Sequence, residues 1–129
     1  MPIIKQHRIY RRYLQNNPDV LFVFGDNMLR KGMGGQAAQM RGEPNAVGVA
    51  TKYLPNMSEE AFYNDRDFER IKANFMCDIL PIELALERGK IVIWPSDGIG
   101  TGFSEVSTRA PKVWDLMESV RRRLERITR

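Results

Sequence analysis

Two loops in this chain have the composition of anion cradles. In "FGDNMLRKGMGGQ", residues 24–36, Asp26 and Asn27 precede Gly32, Gly34 and Gly35; in "PSDGIGTGFS", residues 95–104, Gly98, Gly100 and Gly102 alternate around Ile99 and Thr101, with Asp97 and Ser104 at the ends. Glycine admits positive φ and, lacking a Cβ, lets backbone N–H groups approach a ligand closely, which is the chemistry of phosphate binding. The amides of Gly34, Gly35 and Gln36 also stand where a helix would open, and a helix start favours an anion. Two such loops can clasp a diphosphate from opposite sides. Each loop, taken alone, reads equally well as a tight connection.

The side chains around the glycines divide in the same way. Asp26 and Asn27, next to Gly25 at the end of an apolar run, can hydrogen-bond a ligand's hydroxyl or amino groups or can cap their own turn. Lys52 can reach a phosphate or lie on the surface, and Phe103 can line a sugar or base or fold into the core. Arg30 and Lys31 read as a mobile, solvated rim. For hydrolysis a water needs a base, and Asp26 and Asp97 are the acids these loops offer; alternatively the substrate's own phosphate orients the water while Asn27 holds a ribose.

Familiar motifs are mostly excluded. Gly32, Gly34 and Ala37 match a loose G-x-G-x-x-A, but the first glycine comes eight residues after Phe24, and Thr51 and Lys52 stand where a ribose-binding acid belongs. No G-x-x-x-x-G-K-[ST] occurs. A single histidine, His7, leaves no set for a histidine zinc site or a Ser-His-Asp triad, and no cofactor is called for.

The loops need a frame, and the apolar pattern supplies one. "VLFVF" at 20–24, "AVGVAT" at 46–51 and "KIVIW" at 90–94 read as strands buried on both faces. Between them stand a short helix over 9–16 stopped by Pro18, another opening at Gly35, and a segment from Asp65 with Phe68, Ile71, Phe75, Ile79 and Ile82 at helical spacing. Pro81 should kink or split that segment, and Gly89 should end it. A last helix from Pro111 carries Val113, Leu116, Met117, Val120, Leu124 and Ile127 on one face. Strands alternating with helices predict one α/β domain over 1–129, a three-layer α/β/α sandwich with a mainly parallel sheet. In such a sheet both glycine loops follow strands, so both lie at the carboxyl edge where ligands bind.

Composition sets the outer bounds. The 129 residues suit one domain, and 28% charged with 43% hydrophobic residues suits a folded one. The net charge of +4 favours anionic partners, and its concentration in "KQHRIYRRY" and "RRRLERITR" makes nucleic acid the alternative partner to a small ligand. Cys77, the one cysteine, reads as a small buried hydrophobe and fits a reducing, cytoplasmic setting. The start has no signal-peptide layout and no apolar run spans a membrane. Oligomeric state is not legible.

The loop residues resemble those of macrodomains, the ADP-ribose-binding modules. In that family a buried strand ends in an Ala-Asn pair before a glycine-rich loop and a small-residue helix. A later strand runs through proline into a Ser-Thr-Gly-hydrophobic-aromatic-Gly loop. "FVFGDNMLRKGMGGQAAQMRG" is similar to the first element, with Asn27 at the family's asparagine, and "IVIWPSDGIGTGFSEVSTRAPKVWDLMESV" to the second. The stretches "FGDN", "GMGGQA", "RGEPNA" and "TK" resemble more closely a set of bacterial and phage proteins. The macrodomain resemblance implies a macrodomain-like fold that binds ADP-ribose or a related nucleotide diphosphate. The diphosphate would lie between Gly34, Gly35, Gln36 and Gly100, Thr101, Gly102; Asn27 would meet the distal ribose and Phe103 would line it. Binding alone and hydrolysis of an ADP-ribosyl or phosphoester bond both stay open, as does an interaction module whose glycine loops are purely structural. The family's Gly-Asp-Ile, whose acid reads adenine, has no counterpart before residue 20.

Overall fold

The computed structural model describes residues 3–96, 98–99 and 104–127. Four strands, β1 (Ile3–Gln6), β2 (Leu21–Asp26), β3 (Ala46–Ala50) and β4 (Val92–Pro95), form one sheet in the order β1-β4-β2-β3, and every pairing is parallel. The helices are α1 (Arg11–Asn16), α2 (Ala37–Met40), α3 (Phe68–Glu87), α4 (Val106–Arg109) and α5 (Pro111–Glu125), with two 3-10 turns at Glu59–Ala61 and Asp65–Asp67.

Alternation along the strands divides the core between two faces. Phe22, Phe24 and Ile93 pack with Leu14 of α1 and with Ala37 and Met40 of α2. Val23, Val49, Val92 and Trp94 face the other way, onto Ile71, Phe75, Ile79, Ile82 and Leu86 of α3 and Val113, Met117, Val120 and Leu124 of α5. This is the expected three-layer arrangement. Each of the Val, Leu, Ile, Phe and Met side chains among them contributes about 1.5–3 kcal/mol by leaving water, so the two apolar layers hold the sheet from both sides.

Three local expectations change. β1 was not legible, because "II" is too short a run to stand out and Ile4 remains exposed; pairing with β4 makes it a strand. Pro81 neither kinks nor splits its helix, since α3 runs unbroken through it for 20 residues. The ring is exposed, and the apolar face on Ile79 and Ile82 holds the helix against the loss of one hydrogen bond. Cys77 is exposed, not buried: it lies two residues from buried Phe75, about 200° around the helix and therefore on its outer side.

Helix ends follow local chemistry. Gly89 adopts φ 77° past the end of α3, while Lys90 N–H donates to the Ala85 carbonyl. α5 begins after Ala110, which has no side chain to cap it, and Asp65 does so from a distance. Its carboxylate accepts from Lys112 N–H at 3.1 Å and Val113 N–H at 3.2 Å. Asp65→Ala should therefore lower unfolding stability by about 1 kcal/mol, in line with loss of a helix cap. Urea denaturation would show this as a lower midpoint at unchanged slope.

Candidate functional site

Because the strands are parallel, Gln6, Asp26, Ala50 and Pro95 all end at one edge of the sheet. β2 and β4 are direct neighbours, so the loop after β2 and the loop after β4 leave that edge side by side.

In the first loop Asp26 organises everything around it. Its buried carboxylate receives Arg41 through Nη2–Oδ1 at 2.5 Å and Nη1–Oδ2 at 3.2 Å, and Asn27 N–H at 2.9 Å. Arg30 stands 3.7 Å away. Space for the carboxylate comes from Gly48 in the neighbouring strand, where a Cβ would fall 2.5 Å from Asp26 Oδ2. Arg41 also donates to the carbonyls of Gly32 and Lys31, which ties the loop down.

Asn27 is equally committed. Its Oδ1 accepts from Leu29 N–H and its Nδ2 donates to the Lys31 carbonyl, so the side chain braces its own turn. Asp26 and Asn27 thus do the capping work that was one of their two sequence readings.

Arg30 corrects its reading as a mobile rim residue. At φ 58° it turns back across the sheet, pairs with Asp78 of α3 at 2.6 Å and donates to the Gly48 carbonyl. Asp78 accepts Ala50 N–H at 2.9 Å. Together they satisfy the outer edge of β3, which would otherwise offer bare backbone groups to another chain. The Lys31 side chain is exposed, as expected.

The glycine segment is open. A Cβ at Gly34 or Gly35 would meet nothing within 4 Å, and Gly35 adopts φ 57°. The amides of Gly34, Gly35 and Gln36 donate to no carbonyl among the described residues. Gln36 Oε1 is buried without a partner there. The helix expected to open at Gly35 starts at Ala37 and lasts four residues, so any anion held here rests on loop amides and gains little from a helix dipole. Gly25 lies inside β2, opposite Val49.

Of the second loop, Gly98 turns at φ 85° with its N–H on the Pro95 carbonyl, and Ile99 and Ser104 are buried. Asp97, Gly100, Thr101, Gly102 and Phe103 lie outside the described residues. Trp94 at the end of β4 buries Nε1 without a partner among those residues. His7, which sequence reading left without a role, stands at this same edge with Nδ1 3.4 Å from Ser96 Oγ.

Lys52 is buried at the end of β3, not on the surface. Its Nζ donates to the Asn56 carbonyl at 2.6 Å and lies 4.9 Å from the centre of the Phe62 ring, whose neighbour Arg109 stacks at 3.9 Å. Burial pushes the Lys52 ammonium below the usual lysine range, and Glu105 partly counters it. Beyond this stack an open cleft of about 750 Å³ is lined by Tyr53, Phe62, Tyr63, Arg66, Arg70 and Arg109, with Glu59 and Asp67 among its acids. Its residues are scattered over more than fifty positions and form no motif, so only the fold reveals it. Arg109 is paired with Glu59 at 2.8 Å and holds that exposed carboxyl below its ordinary range. No group of acids, cysteines or histidine among the described residues is arranged to hold a metal ion.

The basic stretches near the termini are partly neutralised. Arg11 pairs with Glu43, Arg121 with Glu118 and Glu125, and Arg123 with Glu83.

A family model described as a family of unknown function (DUF7831) matches residues 4–120, and the chain belongs to that family. No curated protein and no solved structure matches it.

Two outcomes follow from this geometry. Arg41→Ala leaves the buried Asp26 carboxylate without its main partner and should cost about 3 kcal/mol of stability, with Gly48→Ala costing about 1–3 kcal/mol through steric conflict at the same carboxylate; chemical denaturation of both variants checks this. In the cleft, burial and then the hydrogen bond to Asp67 push the Tyr53 phenol up to about 12 from its ordinary 10.0. The folded phenol keeps its proton longer than the unfolded one, so this contribution is complete below pH 10 and is lost as the pH rises toward 12. Stability measured across that window should fall less steeply in Tyr53→Phe than in the parent.

Proposed function

We propose that this DUF7831 member binds a nucleotide diphosphate of the ADP-ribose class at the carboxyl edge of its sheet. The diphosphate rests on the amides of Gly34, Gly35 and Gln36. One observation carries the reading: β2 and β4 are adjacent and parallel, so the loops that follow them start from one edge, and among the described residues the first presents three amides without a carbonyl partner. Ligands of open α/β sheets bind at such an edge. The macrodomain resemblance of the same two loops supports it, as does the net charge of +4.

The reading is of binding. Asp26 and Asn27 brace the first loop, so that loop supplies backbone donors and no proton acceptor. The pairing of Arg11, Arg121 and Arg123 with carboxylates removes three of the cations that the nucleic-acid alternative would use for phosphates.

A thermal-shift series with ADP-ribose, NAD, ADP and cyclic nucleotides tests this. A ligand present at a hundredfold excess over its dissociation constant should add about 2.7 kcal/mol and raise the midpoint by several degrees. Gly34→Val should abolish the shift and leave the ligand-free midpoint unchanged, because a Cβ there meets nothing and the backbone needs no positive φ. If none of these compounds shifts the midpoint at millimolar concentration, the assignment fails.

A further inference from the structure

The outer side of α3 bears an apolar stripe that the monomer leaves uncovered. Ala73, Cys77, Leu80, Pro81 and Leu84 are all exposed, Leu80 by 54% and Leu84 by 40%. Their spacing of four, three and four residues sets Ala73, Cys77, Leu80 and Leu84 along one narrow seam, the pattern that helices use to pack on helices. Pro81 adds a second effect: without its N–H, the Cys77 carbonyl loses its helical donor beside the seam. At the lower end the stripe runs into a groove of about 310 Å³ between Pro81, Leu84, Ala85, Pro18 and Pro44.

Charges beside the seam indicate what covers it. Lys72 and Glu87 are exposed and form no ion pair among the described residues. They lie on the same side of the stripe, on either side of a midpoint between Ile79 and Leu80. A two-fold axis there, perpendicular to the helix, sets two copies of α3 antiparallel and brings Lys72 of each against Glu87 of the other. Arg70, which an antiparallel copy would bring toward Arg88, is instead turned onto the Tyr53 ring at 5.1 Å. The seam is therefore self-complementary in charge, as a closed isologous contact requires.

We infer that the chain forms a symmetric homodimer through the outer face of α3, with Leu80 of each copy against Leu80 and Pro81 of the other and Leu84 of each against Ala73 and Cys77 of the other. This interface lies on α3 and not at the carboxyl edge, so it holds independently of the nucleotide reading.

Sedimentation equilibrium of the full chain over about a hundredfold range of concentration tests it. The parent should approach the dimer mass. Leu80→Glu should raise the dissociation constant by about a hundredfold or more, with an unchanged circular dichroism spectrum, since the residue is exposed. Lys72→Glu should weaken association, and the double variant Lys72→Glu/Glu87→Lys should restore it. A short bis-maleimide should join two Cys77 thiols in the parent and fail in Leu80→Glu. A monomer throughout the range overturns the inference, and so does a dimer that Leu80→Glu leaves intact.

Discussion

A buried carboxylate at the end of a strand has to be satisfied or the strand end cannot stay where it is. Asp26 is that group, and much of the carboxyl edge is arranged around it. Gly48 makes room, Arg41 supplies two charge-assisted hydrogen bonds, and Arg30 adds a second cation. Loss of one partner would leave a buried charge uncompensated, and such a cost is larger than the net worth of the pair itself. This asymmetry makes Asp26 a stringent determinant of the loop's shape.

The consequences spread along the chain in both directions. Arg41 holds the carbonyls of Lys31 and Gly32, so the glycine segment starts from a fixed point even though it is itself open. Arg30 carries the same charge network across to Asp78 and thereby closes the free edge of β3. Further back, Glu43 pairs with Arg11 and Asn45 reaches the carbonyls of Leu14, Asn17 and Val20, which fixes α1 beneath the sheet. The stretches "FGDN" and "RGEPNA" thus serve to a large extent to build a rigid frame. What they leave uncommitted is backbone: the amides of Gly34 to Gln36.

That division explains why parts of the site were legible and others were not. Glycine spacing and position after a strand identify the loops, since both depend on local backbone geometry. Whether Asp26 faces a ligand or an arginine depends on where Arg41 lies, fifteen residues away and beyond α2. Arg30 gave no hint of its pairing because Asp78 belongs to a helix 48 positions downstream. Cys77 was within reach of the sequence: counting around the helix from Phe75 places it on the outer face, and its apolar neighbours outweighed that count. The cleft beside Phe62 had no signal, since its lining comes from three separate segments.

Periodicity in the sequence determined the three-layer α/β fold, the helices α3 and α5, three of the four strands and the carboxyl edge from which the loops after β2 and β4 start. These follow from where apolar residues recur, and burial of apolar surface does not need a specific partner to be favourable. The tertiary structure alone decided the strand order, the membership of β1 in the sheet, the ion pairs of Asp26 and Arg30, the burial of Lys52 and the exposure of the α3 stripe. Each of these is a contact between residues far apart in the chain, and hydrogen bonds and ion pairs are directional, so their partners are set only once the layers have packed.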